Sequence, residues 1–130
     1  MKIIQLVYSL CSGGAEKFVV DLSNQLARQG NEVIICMLLK ETESRIFNKQ
    51  FLSSEVQFHS LGMDNGFSLS KCGKVDRYIR SLHPDIVHCH LNVIPYIFKT
   101  AVFNRKINFF HTLHSVAENT GGVGLQYHLN

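Results

Sequence analysis

Apolar and polar positions along this chain follow two spacings, one typical of strands and one typical of helices. Continuous apolar runs of strand length are separated by segments with apolar positions every three or four residues. Strands that alternate with helices in this way indicate an α/β protein with a right-handed, doubly wound parallel sheet. The runs predict strands at residues 3–8, 33–39, 56–61, 85–90 and 107–113, and the periodic segments predict helices at 14–29, 43–52, 71–82 and 93–103.

The order of the strands decides where a ligand binds. In a doubly wound sheet of order 3-2-1-4-5, the first and fourth strands are neighbours, and ligands bind beyond the carboxyl ends of the strands at that switch point. Loops after strands 1, 4 and 5 would then meet at one crevice. Residues 115–130 have three glycines and little periodicity, and we expect neither a sixth strand nor a closing helix there, as though the domain were cut short.

Composition limits the classes of function. With 130 residues, 45% hydrophobic and 18% charged, the chain has the composition of one globular domain with a core. The net charge of +3 suits an anionic partner but is too small to indicate nucleic acid. No run has the length of a membrane span, and the N-terminus is a better strand than a signal peptide, so we expect a cytoplasmic protein. The cysteines, which have no framework spacing, predict free thiols at Cys11, Cys36, Cys72 and Cys89.

The most informative motif is a pair of glycines, Gly13 and Gly14, between the first strand and the first helix. Glycine allows a positive φ and a close approach of the backbone, while the first N–H groups of a helix and its dipole favour an anion. We therefore predict that a phosphate-bearing ligand binds there. Glu16 lies in the first turn, where a carboxylate also complements the helix dipole. The spacings of a P-loop, a G-x-G-x-x-G loop and a G-x-S-x-G elbow are absent.

Histidines cluster at the ends of the fourth and fifth strands, and three interpretations are open. His88 and His90 lie on one face of their strand, with His90 nearer the rim. A metal site would use His90, His114 and a neighbour, although no Asp, Glu or Cys has ligand spacing. A polar contact would have His114 donate a hydrogen bond to a phosphate or a sugar hydroxyl. For His88 and His111 we prefer a third interpretation, in which they are half-buried residues of their strands whose hydrogen bonds are made within the protein.

Four cations, Lys71, Lys74, Arg77 and Arg80, lie along one predicted helix, on the side away from its apolar positions. A basic amphipathic helix can lie on an anionic membrane surface. The more common explanation is a core-facing helix with a solvated charged face. Both interpretations stay open, and the first makes these four residues candidates for membrane contact.

Five segments have a pattern of their own: Ile3-Ile4-Gln5-Leu6, Gly13-Gly14-Ala15-Glu16, residues 22–33, Pro84-Asp85-Ile86-Val87-His88-Cys89-His90 and Thr112-Leu113-His114. Together they resemble the start of the family 4 retaining glycosyltransferases. The resemblance spans about residues 1–115. It implies the N-terminal, Rossmann-like half of a GT-B fold, in which two such domains face each other across a cleft. Residues 1–130 would then be the acceptor-side domain of a longer enzyme, truncated before its C-terminal donor-binding domain.

The resemblance also implies roles for individual residues. It places Gly13 and Gly14 against the diphosphate of a nucleotide-sugar donor, and His114, in the position of the T-x-H motif, as the catalytic residue beside the sugar and phosphate. His90 and Thr112 would form the floor of the cleft. The implied reaction is retaining transfer to a sugar or lipid-linked acceptor, in polysaccharide or glycolipid synthesis at the inner face of the cell membrane. It would need no metal and no other cofactor.

One family feature is missing from the sequence. No glutamate is followed by another eight residues later, so the E-x7-E motif of the donor-binding domain is absent. We therefore expect this chain alone to be inactive, with an exposed cleft face through which copies self-associate. Two alternatives stay open: a freestanding flavodoxin-like module that binds a phosphate ligand or regulates, and a metal-dependent hydrolase in which His88, His90, His111 and His114 converge.

Overall fold

The computed structural model describes residues 1–90, 93–104, 106–113 and 125–129. Its elements follow the predicted alternation, with one helix replaced by a 3₁₀ segment and one strand added. The strands are β1 (Lys2–Val7), β2 (Glu32–Leu39), β3 (Gln57–Met63), β4 (Ile86–His90), β5 (Asn108–Leu113) and β6 (Leu125–Leu129). The helices are α1 (Gly14–Arg28), α2 (Leu69–Leu82) and α3 (Ile94–Phe103), and a 3₁₀ helix covers Phe47–Phe51.

The strands form one sheet of order β3-β2-β1-β4-β5-β6. The first five are parallel, which confirms the doubly wound, Rossmann-like arrangement and the predicted pairing of β1 with β4. Gln5 of β1 lies between Ile35 of β2 and His88 of β4. Because the strands are parallel and in this register, the loops after β1 and β4 emerge side by side at the same edge.

The expectation that residues 115–130 contain no sixth strand is wrong. β6 runs antiparallel to β5, with Leu125 opposite Leu113 and Leu129 opposite Phe109. Its sequence, Leu-Gln-Tyr-His-Leu, alternates apolar and polar residues, which is the period of a strand with unlike faces. A search for helical spacing or for continuous apolar runs does not detect such a short alternation.

The helix predicted at residues 43–52 is also wrong. Residues 43–46 form a turn, and the 3₁₀ helix follows it. Thr42 closes the turn, because its carbonyl accepts from the N–H of Ile46 at 3.1 Å and its hydroxyl from the N–H of Arg45 at 3.3 Å. Asn48 is buried and makes hydrogen bonds to the loop after β1. Such polar groups compete with the hydrogen bonds of a regular α-helix.

Helices cover the two faces of the sheet, and each face has its own core. On the face covered by α2 and α3, the strands contribute Ile4, Leu6, Cys36, Val87, Cys89 and Phe109 to a cluster with Val75, Ile79 and Ile97. On the face covered by α1, Val7, Val33, Ile35 and Met37 pack against Val19, Val20 and Ala27. These two cores hold the carboxyl edge of the sheet, where the loops meet.

Helix ends lie where glycine and proline predict them. Gly30, with a φ of +95°, follows the end of α1. Pro95 lies in the first turn of α3, where its missing N–H costs no helical hydrogen bond. Ser68 caps α2 through its hydroxyl, which accepts from the N–H of Lys71 at 3.4 Å.

Candidate functional site

The loop between β1 and α1 brings the two glycines to the carboxyl edge of the sheet. Gly13 is the N-cap residue, with an extended φ of −175°, and Gly14 begins the helix. Neither glycine uses the positive φ that glycine allows. Among the described residues, a Cβ on Gly14 would meet no atom within 4 Å outside its own turn of helix. A ligand therefore has open space in which to approach the first turn of α1 at Gly14.

Glu16 faces the same loop from the first turn of α1. A Cβ built on Gly13 would lie 2.6 Å from Glu16 Oε1, so this carboxylate lies over the glycine. Gly13 provides no side-chain cap for the helix, and the carboxylate supplies the negative charge that the dipole favours. A ligand at the first turn of α1 would therefore meet both N–H donors and a carboxylate.

Asn48, which no motif singles out, holds this loop in place. Its backbone N–H donates to the carbonyl of Leu10 at 2.9 Å, and its side-chain amide donates to the carbonyl of Cys11 at 2.7 Å. The N–H of Leu10 donates to the carbonyl of Arg45 at 2.8 Å. Because Asn48 is buried, these bonds fix the loop before any ligand arrives. The sequence signal was an asparagine inside an otherwise amphipathic segment.

A cavity of about 170 Å³, here called the glycine-loop pocket, opens between this loop and β4. It brings the start of α1 next to His90, as the strand order predicts for the neighbours β1 and β4. Its lining residues are Val7, Tyr8, Ser9, Ala15, Glu16, Val19 and His90.

Buried hydrogen bonds orient the two histidines of β4. His90 Nε2 lies 2.6 Å from Gln5 Oε1, and His88 Nε2 lies 2.6 Å from Thr112 Oγ1. The two imidazole rings are 4.0 Å apart between centroids. His88 is thus a strand residue with a hydrogen bond inside the protein, as we expected. Thr112, expected at the cleft floor, is buried as the partner of His88, whereas His90 reaches the glycine-loop pocket.

The described histidines do not converge on a metal site. His111 pairs in register with Cys89, on the face covered by α2 and α3, while His88 and His90 point to the other face. The hydrolase hypothesis is therefore wrong for these three residues. No group of three side chains that could hold a metal exists in the part of the chain that the structure describes. His114, the predicted catalytic residue, lies outside the described residues.

Lys71, one of the four cations on α2, makes its hydrogen bonds to the loop that precedes the helix. Its ammonium donates to three successive carbonyls, those of Asp64, Asn65 and Gly66, at 2.7, 3.3 and 2.6 Å. This contact fixes the backbone of the β3–α2 loop at the carboxyl edge of the sheet.

Arg80 is bonded to Asp76, whose carboxylate is buried between α2 and α3. Arg80 Nε and Nη2 lie 3.0 and 2.6 Å from Asp76 Oδ2, and the Thr100 hydroxyl donates to Oδ1 at 2.7 Å. Burial by itself would raise the pKa of Asp76. The hydrogen bonds from Arg80 and Thr100 and the charges of Arg80 and Lys99 outweigh burial and hold that pKa below its usual value.

Lys74 and Arg77 are exposed along α2. Among the described residues, no helix is both long and apolar enough to cross a membrane. The surface contact with a membrane, expected from Lys71, Lys74, Arg77 and Arg80, stays a prediction.

A second cavity at the carboxyl edge, of about 490 Å³, has mostly aromatic walls. We call it the aromatic pocket, and it is lined by Tyr8, Gly66, Phe67, Pro95 and Tyr96. Tyr8 also lines the glycine-loop pocket, so the two cavities are neighbours that share this side chain. No sequence motif indicated this pocket, because its walls come from two different loops and the first turn of α3.

A larger cavity, of about 910 Å³, lies at the opposite edge of the sheet, beside the residues that precede β4 and β5. Its lining includes Arg80, His83, Asp85, Phe103 and Lys106. Because doubly wound sheets bind ligands at the carboxyl ends of their strands, its size does not make it the candidate site.

Solved structures with a similar fold share little sequence with this chain. A deacetylase of the teicoplanin biosynthesis pathway, in its bog complex, has a TM-score of 0.56 and 9% identity over 87% of this chain and 67% of that one. The C-terminal domain of the PF1911 hydrogenase from Pyrococcus furiosus has a TM-score of 0.54 and 15% identity over 86% and 89%. The zinc-inhibited form of the teicoplanin deacetylase Orf2 has a TM-score of 0.52 and 10% identity over 87% and 67%. At these identities the likeness concerns the fold alone.

Sequence comparison gives the family. No curated protein matches the chain significantly. The family Glyco_transf_4, described as Glycosyltransferase Family 4, matches residues 12–129, a range that includes the glycine loop, His90 and the T-x-H segment. Because this match spans most of the sequence, the chain belongs to glycosyltransferase family 4 and contains a glycosyltransferase-type domain.

Proposed function

We propose that this chain is the acceptor-side, N-terminal domain of a glycosyltransferase that uses a nucleotide-sugar donor to build a cell-surface polysaccharide or glycolipid. The observation that carries the proposal is the glycine-loop pocket, in which the open first turn of α1 and His90 meet at the carboxyl ends of β1 and β4. The family adds the class of reaction.

The groups of this chain suit the anionic part of such a donor. N–H groups in the first turn of α1, together with the helix dipole, would bind the diphosphate, on which charge builds as the glycosidic bond to the leaving group breaks. Asn48 fixes the part of the loop at Leu10 and Cys11 that leads into this turn, so little reorganisation of the loop is needed. His90 supplies a polar wall of the pocket, and His114 in the T-x-H position would stand beside the reacting sugar.

Glu16 sets a condition on the ligand. A bare anion in the glycine-loop pocket would meet its carboxylate at short range, which is unfavourable. A ligand with hydroxyl groups beside its phosphate can instead donate a hydrogen bond to that carboxylate. Helix N–H donors and a carboxylate in one pocket therefore suit a sugar phosphate better than inorganic phosphate.

The base and most of the sugar of the donor need groups that this sequence does not contain, since the E-x7-E motif is absent from it. We propose that transfer requires a second, donor-binding domain opposite this one. Much of the rate of a transfer reaction comes from holding both substrates together, so this chain by itself would not transfer sugar.

A matched pair of glycine variants tests the proposal. Gly14 and Gly73 are both helical, and a Cβ at either position meets nothing within 4 Å, so Gly14→Ala and Gly73→Ala should both fold. UDP-glucose and GDP-mannose are titrated into the isotope-labelled chain while amide shifts are recorded. We expect shifts around residues 13–19 in the wild type and in Gly73→Ala. In Gly14→Ala the binding should weaken about tenfold, the equivalent of about 1.4 kcal/mol.

Each other outcome has a defined meaning. Equal binding by the two variants, or shifts away from the glycine loop, would contradict a donor site at this position. Tight binding selective for one base, by a chain that light scattering shows to be monomeric, would favour a self-sufficient flavodoxin-like module. Weak binding independent of the base, by a chain that self-associates, is the result that we expect for one side of a cleft.

A further inference from the structure

We infer that the aromatic pocket is the subsite for a neutral sugar ring of the acceptor, an inference that rests on the proposed function. Its volume of about 490 Å³ is in the range of small-molecule sites. The position at the carboxyl edge, beside the glycine-loop pocket, is where a second substrate would have to bind for transfer between the two.

Three aromatic rings form the walls. The centroids of Phe67 and Tyr96 are 5.4 Å apart with planes inclined by 59°, and those of Tyr8 and Tyr96 are 6.5 Å apart with planes inclined by 36°. Phe67 is 56% exposed. An exposed phenyl ring at the rim of a concave aromatic surface offers a flat apolar face, which the CH groups on one face of a pyranose can cover.

Hydrogen bonds hold these rings in place. The Tyr96 hydroxyl donates to the carbonyl of Gly66 at 3.2 Å, and the Tyr8 hydroxyl donates to Asn65 Oδ1 at 3.3 Å. The same loop is bound from the other side by the Lys71 ammonium. The walls are thus arranged before binding, which reduces the entropy that a weakly held ligand must overcome.

The lining also selects against charge. No charged side chain lines the aromatic pocket among the described residues. The nearby ammonium of Lys71 is bonded to the carbonyls of residues 64–66, so it does not offer a separate anion site. A phosphate or carboxylate placed here would lose water without gaining a cation. The phenol groups of Tyr8 and Tyr96 donate their protons to the protein, so their oxygens can accept hydrogen bonds from sugar hydroxyls, which an alkyl chain does not supply.

Tyr8 connects this subsite to the proposed donor site. Because it lines both pockets, a sugar ring against Tyr8 and Tyr96 would lie next to the first turn of α1. The acceptor hydroxyl could then reach the donor side without passing through the protein. A pyranose in the aromatic pocket and a diphosphate in the glycine-loop pocket would both lie next to Tyr8.

The test compares two exposed phenylalanines. Phe67 lines the aromatic pocket, whereas Phe98 is 69% exposed on α3 and lies outside it, so Phe67→Ala and Phe98→Ala should both fold. The probes are methyl β-glucopyranoside, methyl β-galactopyranoside and methyl α-mannopyranoside. Since the chain has no tryptophan, its emission comes from four tyrosines, of which Tyr8 and Tyr96 line the pocket, and the comparison of the two variants assigns the change to it. We expect at least one glycoside to bind, and Phe67→Ala to weaken it roughly two- to tenfold while Phe98→Ala leaves it unchanged.

Three results would overturn the inference: no response to any glycoside at its solubility limit, equal effects of the two variants, or a response to 1-octanol in place of the sugars, which would indicate a lipid site. The nucleotide-sugar titrations with Gly14→Ala report separately on the donor site. Glycoside binding that depends on Phe67 in a chain that does not bind the donor would refute the proposed function and leave a neutral-sugar site standing.

Discussion

The two faces of the sheet differ most clearly along β4, where neighbouring residues have opposite surroundings. Val87 and Cys89 face α2 and α3 in a core of apolar side chains, and burial raises the pKa of the Cys89 thiol to about 12. His88 and His90 face the other way and are bonded to polar partners. One strand thus contributes to stability with its odd-numbered residues and to the site with its even-numbered ones.

We call the side of β4 that bears His88 and His90 the polar face. It keeps one buried side chain that hydrophobic packing alone would not retain. Gln5 is fully buried, its Oε1 lies near His90, and its Nε2 has no hydrogen-bond partner among the described residues. An unsatisfied buried amide group is costly, and such costs concentrate at functional sites. On the face packed against α2 and α3, here called the apolar face, β1 and β4 contribute the hydrophobic residues Ile4, Leu6, Val87 and Cys89.

The largest effect is expected on the apolar face. Phe109→Ala removes a ring that is 1% exposed and leaves a cavity among the β4, α2 and α3 side chains. We expect the free energy of unfolding to fall by about 3–5 kcal/mol, measured by urea denaturation. A loss below about 1 kcal/mol would mean that this face is not the main source of stability.

An intermediate effect is expected where the two helices of that face are joined. Asp76→Asn keeps an acceptor for Thr100 but loses the charge that pairs with Arg80, and we expect a loss of about 1–3 kcal/mol at neutral pH. Because folding lowers the pKa of Asp76, its contribution is present above the unfolded value of about 3.9 and is lost as the pH falls through the folded value.

The pH dependence separates this carboxylate from a packing effect. The difference in unfolding free energy between wild type and Asp76→Asn should be largest above about pH 4 and should shrink in more acid solution. A difference that stays constant with pH would show that the charge of Asp76 is not responsible.

The smallest effect on stability is expected on the polar face. Gln5→Leu removes the unpartnered Nε2 but also removes the partner of His90, so the two changes oppose each other and should sum to less than about 1 kcal/mol. The variant should instead alter the ring position of His90, detected as changed imidazole shifts. A loss as large as that for Phe109→Ala would abolish the distinction between the two faces.

The fold could be predicted because its signals are local and repeated. Continuous apolar runs identify buried parallel strands, and helical spacing identifies α1, α2 and α3. The place of the site followed from topology, since neighbouring β1 and β4 bring the glycine loop to His90. Family membership was predicted from the glycine and histidine segments and is confirmed.

The parts that could not be predicted depend on contacts between distant side chains. Nothing in the local sequence says that Asn48 binds the carbonyl of Cys11, or that Thr112 meets His88, because both pairings require the finished packing. The aromatic pocket needs two loops and the first turn of α3 to converge. Glycine allows a positive φ, but neither Gly13 nor Gly14 adopts one; Gly14 instead borders open space, and Gly13 lies under the carboxylate of Glu16.

The position of β1 has a consequence for the nascent chain. β1 is synthesised before β4, one of its two neighbours in the sheet. Because Ile3 pairs with Ile86, this edge of β1 stays unpaired until the chain has been made beyond residue 86. At the usual roughly 5–20 residues per second, β1 emerges with one edge unpaired for a time on the order of several seconds. An open, apolar edge is a template for pairing with other chains, so this strand is exposed to mispairing during synthesis although it is central in the finished sheet.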